Sequence, residues 1–372
     1  MLNAIVHIDP DNSKMNSKKT KEEQVIFGKT IQEIIRETLI ADEQLIEKQE
    51  IKSGLDHVIF FMAHAPLIDL TWIHNNILQY PDDIVFFKDN KERPVAFYIP
   101  CKVIDKQLDV ILGNWVNFSD LTERLQETYR VECMKGKAVV ESKSDLQYVM
   151  KRLQKRINMN LIEEGATIID MGTTYVDFDV RVGMDTVIYP NTFLTGQTVI
   201  GEDCIIGPDS RIADSTIGHN TSVKDSTILE SKVDNHTSVG PYAYIRPNSK
   251  VGSHVKVGDF VEVKNAVIGD GTKISHLSYV GDADLGKNIN VGCGVVFVNY
   301  NGKDKKRSEI KDNSFIGCNA NIVAPVTLEE MSYVAAGTTI TKNVPSGALA
   351  VGRAKQENKA GWVERRKLIQ KK

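Results

Sequence analysis

The chain has 372 residues, with 46 lysines and arginines against 49 aspartates and glutamates, so its net charge of -3 gives no overall basic field that would attract nucleic acid. Its length suits two to three domains of about 150 residues. No apolar run approaches the roughly 18–20 residues of a membrane span, and the first residues lack the apolar stretch of a signal peptide. The five cysteines include no C-x-x-C pair, which argues against a zinc knuckle or a disulfide framework. We therefore expect a soluble, cytoplasmic protein without nucleic-acid or membrane partners.

Residues 1–143 combine two kinds of pattern. Apolar runs at 57–62 and 95–100 indicate strands, whereas residues 30–45 have the spacing of an amphipathic helix. This mixture predicts an α/β domain.

Residues 144–164 are expected to form a helix that links this domain to the rest of the chain. Ser144 and Gln147 have the spacing of a capping box, and Gly165 is placed to end the helix. One apolar face and one solvated basic face are predicted. The apolar face consists of Leu146, Val149, Met150, Leu153, Ile157 and Leu161, and the basic face of Lys151, Arg152, Lys155 and Arg156.

From Val176 to Ile340, a large apolar residue recurs every six positions, with occasional steps of five. This period fits neither a helix (3.6) nor a simple strand (2). It fits a solenoid of short parallel strands, in which three hexapeptides form one coil of about 18 residues. Residues 166–372 are therefore predicted to form one domain, in which 176–345 make a parallel β-helix of about nine to ten coils and 356–368 form a short C-terminal helix.

One interval breaks the period, because Phe297 and Ile310 are separated by 13 residues. The seven extra residues lie within the polar and basic segment 299–308. Insertions in solenoids often carry function, so this loop is a candidate site.

Polar residues around this loop form a candidate cluster. Arg246 and Lys264 are 18 residues apart, which places them about one coil apart on the same face, while His276 is predicted on a neighbouring edge. Two cations suit a phosphate, and an imidazole suits the removal of a proton from an amine. The other members of this candidate cluster are Tyr279, Asn290, Asn299 and Tyr300.

Several segments together resemble one known family. They are AYIRPNSKVG, GDFVEVKNA, SHLSYVGDADLGKNINVGCG, VNYNGK, FIGCNANIVAPV, VAAGTTIT and ALAVGRAKQ. In this order they resemble the acetyltransferase domain of the bacterial bifunctional GlmU family, which makes UDP-N-acetylglucosamine for the cell wall. The resemblance covers about residues 165–362. It implies a left-handed parallel β-helix of hexapeptide repeats, a homotrimer, and acetyl transfer from acetyl-CoA to glucosamine 1-phosphate.

The resemblance also implies roles for individual residues. His276 would be the general base that takes a proton from the amine as it attacks the thioester directly. The sugar-phosphate positions match Arg246, Lys264, Tyr279, Asn290 and Lys305, and the acetyl-CoA positions match Cys293, Asn299, Tyr300, Cys318, Ala336 and Arg353. Cys293 and Cys318 stand where some relatives have alanine or serine.

The front domain departs from the family's uridylyltransferase domain, which has about 225 residues and a glycine-rich phosphate loop. Segments 27–30, 63–69 and 139–146 resemble its remnants, but no glycine precedes Gly28, and His64 and Glu141 stand at the two magnesium-ligand positions. Magnesium prefers oxygen ligands together with substrate phosphates. We therefore expect a reduced, nucleotidyltransferase-like α/β domain without bound Mg²⁺ and without uridylyltransferase activity.

Other functions remain open at this stage. The enzyme could acetylate another amino sugar, or the chain could be a non-catalytic scaffold or regulatory relative of the bifunctional enzyme. Zinc-lyase chemistry is known on such solenoids but needs three converging histidines, whereas His219, His236, His254 and His276 include no pair close in sequence.

Overall fold

The computed structural model describes residues 2–8, 13–41 and 43–366. The chain forms two compact units, the first consisting of residues 1–180 with 193–196 and the second of residues 181–192 with 197–372. The predicted fold class is confirmed, because an α/β unit is followed by a parallel β-helix. Among the described residues, no helix is long and apolar enough to cross a membrane.

The first unit is built on a mixed six-stranded sheet whose strand order is β4-β1-β5-β7-β6-β8. Its strands are β1 (Asn3–His7), β4 (Gln44–Leu45), β5 (His57–Met62), β6 (Ile84–Lys88), β7 (Pro94–Pro100) and β8 (Tyr129–Cys133). A two-stranded hairpin adds β2 (Val25–Ile26) and β3 (Lys29–Thr30). The central strands are apolar on both faces, as expected for a sheet covered by helices, and Phe60, Phe61, Phe87 and Phe97 are buried in the core.

Five helices belong to this unit. They are α1 (Ile31–Ile40), α2 (Leu70–Gln79), α3 (Cys101–Leu112), α4 (Phe118–Leu125) and the linker helix α5 (Lys143–Glu163), and a 3₁₀ turn covers Lys48–Glu50. Side chains cap four of them: Thr30 caps α1 in a capping box with Glu33, Asp69 caps α2, Asn117 caps α4 and Ser142 caps α5. The unit also holds β9 (Thr167–Ile168), β10 (Thr174–Val176) and most of β13 (Thr192–Thr195).

Three details of the sequence prediction are wrong. The helix predicted over 30–45 ends at Ile40, because Gln44 and Leu45 pair with β1 as a parallel strand. The linker helix begins one residue early, since the Ser142 hydroxyl, rather than that of Ser144, accepts a hydrogen bond from the Asp145 N–H. Met150, predicted on the buried face, is exposed.

The second unit stacks short parallel strands into three sheets. The first sheet contains β16 (Arg211–Ala213), β19 (Thr227–Leu229), β22 (Tyr244–Ile245), β25 (Glu262–Lys264), β28 (Tyr279–Gly281), β31 (Val296–Val298), β34 (Asn321–Val323) and β37 (Thr339–Ile340). The second contains β11 (Arg181–Val182), β14 (Val199–Ile200), β17 (Thr216–Ile217), β20 (Lys232–Val233), β23 (Lys250–Val251), β26 (Val267–Ile268), β29 (Ala283–Leu285), β32 (Ser308–Ile310) and β35 (Thr327–Leu328). The third contains β12 (Val187–Ile188), β15 (Ile205–Ile206), β18 (Ser222–Val223), β21 (Ser238–Val239), β24 (Lys256–Asp259), β27 (Lys273–His276), β30 (Asn290–Val291), β33 (Phe315–Ile316), β36 (Tyr333–Val334) and β38 (Leu349–Ala350).

The six-residue period is the cause of this architecture. Its apolar positions point inward and are buried, and the strand registers place each one on its counterpart in the next coil. Val233, for example, pairs with Val251, and Val251 pairs with Ile268. The interior is thus filled by aliphatic side chains, and any chemistry of this unit must use its corners and outer faces.

The seven-residue insertion is confirmed as a loop between β31 and β32. At the C-terminus, only α6 (Trp362–Arg365) is helical within the described part of the predicted 356–368 helix. Residues 367–372 lie outside the described residues.

Candidate functional site

One corner of the β-helix carries a column of predicted site residues. Strand β27 ends at His276, whereas Cys293, Cys318 and Ala336 each follow a strand of the same sheet by two residues. The registers pair Ile274 with Val291, Val291 with Ile316, and Ile316 with Val334. The predicted base and three of the predicted acetyl-CoA residues therefore occupy the same corner in successive coils, and both cysteines are exposed.

His276 has a carboxylate partner in the preceding coil. Asp259 ends β24 and pairs with His276 in the strand register, and its Oδ1 lies 2.7 Å from the imidazole Nδ1. The hydrogen bond from His276 holds the pKa of Asp259 below its ordinary value. Because an ionised carboxylate only accepts hydrogen bonds, the tautomer of the neutral imidazole that this contact selects has its proton on Nδ1 and its lone pair on Nε2. The ring is thus oriented to accept a proton at Nε2.

Three cations converge on the outer side of the first sheet. The Arg246 guanidinium donates to Oε1 of Glu262 at 2.8 Å, and this hydrogen bond raises its pKa. The nearby ammonium of Lys305 lowers the pKa of Lys264, and Arg246 adds to the effect. The inserted loop therefore brings Lys305 to Lys264, and the group can bind a phosphate.

Tyr279 and Asn299 lie beside these cations. The Asn299 side chain is almost fully buried, and its amide donates to the Tyr279 hydroxyl at 3.3 Å and to the carboxylate of Asp282. The tyrosine ring lies along its own strand over Gly281. A Cβ atom at Gly281 would stand 2.3 Å from the Tyr279 hydroxyl oxygen, so glycine is required for this ring position.

The inserted loop is internally bonded. Tyr300 and Lys305 form an antiparallel bridge, and the Tyr300 hydroxyl donates to the carbonyl of Gly302 at 2.7 Å. At the end of the loop, Arg307 donates to Asp284 and to the carbonyl of Asn265. These contacts fix the loop on the surface of the β-helix.

Two predicted site residues lie apart from the three cations. Asn290 begins β30 and pairs with Lys273 and Phe315, on the sheet that also carries His276. Arg353 is exposed and follows β38 by three residues.

Sequence reasoning did not find Asp259, Glu262 or Gly281. A signal was available for Asp259, because counting back one 17-residue coil from His276 along the inward positions Val257 and Ile274 leads directly to it. Gly281 carries no comparable signal, since its role depends on the direction of the Tyr279 side chain.

The remnant positions of the first unit show no metal-binding arrangement. His64 is buried, and its Nδ1 lies 3.4 Å from Oε1 of the buried Glu22. Burial would raise the pKa of Glu22, but the contact with His64 outweighs it and the pKa is lowered. Glu141 lies 3.3 Å from the ammonium of Lys14. Over residues 2–8, 13–41 and 43–366, no three histidine, cysteine or acidic side chains are grouped to hold a metal ion.

Comparison with known proteins gives the following relations. No family model matches the chain. It is 52% identical over 238 residues to the bifunctional protein GlmU of Alkaliphilus metalliredigens, which is 64% of this chain and 52% of that protein. It is 56% identical over 227 residues to the bifunctional protein GlmU of Clostridioides difficile, which is 61% of this chain and 50% of that protein. The chain thus spans about half the length of these curated relatives.

Solved structures are matched less closely. A UDP-N-acetylglucosamine acyltransferase from Campylobacter jejuni is 14% identical with a TM-score of 0.30, covering 50% of this chain and 71% of that one. The UDP-N-acetylglucosamine acyltransferase of Francisella novicida is 17% identical with a TM-score of 0.27, covering 54% of this chain and 73% of that one. The sequence relation is the informative one, and it confirms the resemblance read from the motifs: over 61–64% of its length, the chain is similar to bifunctional GlmU proteins.

Proposed function

We propose that this chain transfers the acetyl group of acetyl-CoA to the amine of glucosamine 1-phosphate, giving N-acetylglucosamine 1-phosphate and CoA. The observation that carries the proposal is the position of the His276–Asp259 pair. It lies in the same corner column as Cys293, Cys318 and Ala336. The similarity to bifunctional GlmU proteins supports the same reaction.

In the proposed mechanism, the neutral amine attacks the thioester carbonyl and the bond to the CoA sulfur breaks. Nε2 of His276 takes the proton that the nitrogen loses, and the thiolate leaves and is then protonated. Asp259 holds the imidazole in the required tautomer and stabilises its charged form. No acyl-enzyme is formed, so the cysteines contribute only shape to the acetyl-CoA site.

The phosphate of the sugar is assigned to Arg246, Lys264 and Lys305. A dianionic phosphate would relieve the repulsion that lowers the pKa of Lys264. Tyr279 and Asn299 are assigned to the border of the acceptor site, and Tyr300 and Arg353 to acetyl-CoA. Because Asn290 lies apart from the cations within one chain, we assign it to the sugar site of a neighbouring copy in a homotrimer.

We further propose that the first unit does not transfer uridylyl groups. Residues 1–27, which correspond to the segment that carries the glycine-rich loop in the family, contain no glycine, and His64, which is buried against Glu22, takes the position of one metal-binding aspartate. Incubation with UTP, N-acetylglucosamine 1-phosphate and Mg²⁺ tests this, and release of pyrophosphate above that of a heat-inactivated control would contradict it.

The acetyl transfer is tested by CoA thiol release from acetyl-CoA and glucosamine 1-phosphate. His276→Ala should lower kcat at least about 100-fold, the range for the loss of a general base. His254→Ala is the matched control, because His254 is an exposed corner histidine that stacks on His236 away from the column. Release with other amino sugars but not with glucosamine 1-phosphate would replace the acceptor. Absence of release with every acceptor would favour the scaffold function.

A further inference from the structure

A pocket with a strongly positive lining lies within the first unit. It has a volume of about 410 Å³, within the range of small-molecule sites. The linker helix α5 forms one wall, and the segments 134–137 and 67–69, the latter just before α2, form the others. Its cationic lining residues are Lys135, Lys137, Arg152, Lys155 and Arg156. Neither His64 nor Glu141, the two positions of the lost magnesium ligands, lines this pocket.

Three of the cations on α5 line this pocket. Successive lining residues on α5 are one, three or four positions apart, which places them on one side of the helix. They are Tyr148, Arg152, Lys155, Arg156 and Met159. Like charges four residues apart, such as Arg152 and Arg156, destabilise a helix. The helix therefore does not gain stability from this arrangement.

Most of these cations have no carboxylate partner. Lys137 lies 3.6 Å from Asp145. For Lys135, Arg152, Lys155 and Arg156, the described part of the chain provides no carboxylate within 4.0 Å. Asp69 is the one acidic residue of the lining, and it is engaged, because its Oδ1 accepts the Trp72 N–H at 2.9 Å as the cap of α2.

Arg156 is the most informative member of the group. Sequence reasoning placed it on a solvated face, but it is half-buried, and burial lowers the pKa of its guanidinium. A guanidinium stays protonated in a protein, and removing an unpaired charge from water is costly. A bound anion would supply the missing partner, and two guanidinium groups match the bidentate geometry of phosphate oxygens.

We propose that this pocket binds a small phosphorylated ligand that carries at least two negative charges. The ligand phosphates lie between Arg152, Arg156 and the lysines of the lining. The apolar side chains of Leu67, Met134 and Met159 form a wall that suits a non-ionic part of the ligand. The proposal concerns the first unit alone and does not depend on acetyl transfer by the second.

The experiment is isothermal titration of the full chain with inorganic pyrophosphate at low salt. A binding event that persists in Lys305→Gln is expected, and Arg152→Gln and Arg156→Gln should each weaken it about 10-fold or more, as expected for the loss of a charge-assisted hydrogen bond. Arg36→Gln is the matched control, because Arg36 is an exposed arginine on α1 outside the pocket. It should bind as the wild type does.

A second arm with ADP distinguishes the sources of the phosphate. Tighter binding of ADP than of pyrophosphate shows a ligand with an organic part, and equal binding shows recognition of the phosphates alone. Both results support the site.

Three outcomes would overturn the proposal. They are no binding, equal weakening by Arg36→Gln and Arg152→Gln, or binding that is lost in Lys305→Gln and kept in Arg152→Gln. Arg152 is exposed, so its variant tests the site even if Arg156→Gln fails to fold. Acetyl transfer should be unchanged in the Arg152 and Arg156 variants.

Discussion

The pair formed by His276 and Asp259 shows how a single residue acquires a role from its neighbour in the preceding coil. A histidine at a solenoid corner is otherwise free to rotate, and its side chain is more than half exposed. The carboxylate of Asp259 fixes the ring by one hydrogen bond of 2.7 Å. We assign Asp259 as a positioning residue, because it acts on the substrate only through the imidazole.

Replacing Asp259 tests this assignment. Asp259→Asn should lower kcat for CoA release about 10- to 100-fold, since general-base catalysis depends on the tautomer and orientation of the ring. KM for acetyl-CoA should stay unchanged, and Asp259→Glu should restore part of kcat. Asp234→Asn is the control, because Asp234 is a partly exposed aspartate that pairs with Lys232 in an earlier coil. A loss confined to KM in Asp259→Asn would argue against a positioning role.

The burial of the residues that point into the β-helix could be predicted from the sequence. The burial of residues that depends on contacts with segments distant in sequence could not. Every position of the six-residue period is buried, because burial follows directly from the period. By contrast, Arg156 is half-buried and lines a pocket together with the segment 134–137, which is distant in sequence. The exposure of Met150, which lines another pocket of the first unit, likewise depends on packing that helical spacing does not encode.

At the scale of elements, the strands of the β-helix are only two to four residues long. Their stability comes from stacking rather than from length, because an isolated pair of such strands has too few contacts to persist in water. In strand β14, for example, Ile200 points into the stack and is 2% exposed, whereas its neighbour Val199 is 41% exposed.

This contrast makes a prediction for β14. Ile200→Ala should lower the free energy of unfolding of the second unit by about 2–5 kcal/mol, the cost of a cavity in a packed core. Val199→Ala, one residue away, should cost no more than about 0.5 kcal/mol. Guanidinium unfolding followed by far-ultraviolet circular dichroism measures both. Equal costs for the two variants would show that the stack is not the source of stability.

At the scale of the whole molecule, each unit is stabilised internally by different interactions. The second unit depends on aliphatic stacks, whereas the first also contains an ionic network around Asp89. This fully buried carboxylate accepts bonds from the Arg93 guanidinium at 2.6 and 2.9 Å and from the backbone N–H groups of Lys91 and Ala138. Burial would raise the pKa of Asp89, but these bonds outweigh it and lower the pKa.

The network predicts acid sensitivity of the first unit. Because the folded-state pKa of Asp89 is lowered, its stabilisation is present above the unfolded pKa of about 3.9 and is lost as the pH falls through the folded value. Asp89→Asn should cost about 3–5 kcal/mol at pH 7 and reduce the acid dependence. Trp72 and Trp115 report on this unit by fluorescence. Asp109→Asn, at an exposed position of α3, is the control, and equal acid dependence of both variants would contradict the prediction.

The coils of the β-helix do not have one length. Stacked inward residues are separated by 16 residues from Ile212 to Ile228, by 17 from Ile200 to Ile217, by 18 from Val233 to Val251 and by 25 from Leu285 to Ile310. In each case the inward residues remain paired, so the extra or missing residues lie in the corners between strands. Insertions and deletions at corners are therefore nearly neutral to folding, and evolution can reshape the binding surface of such a protein by changing loop length alone, without altering a single core residue.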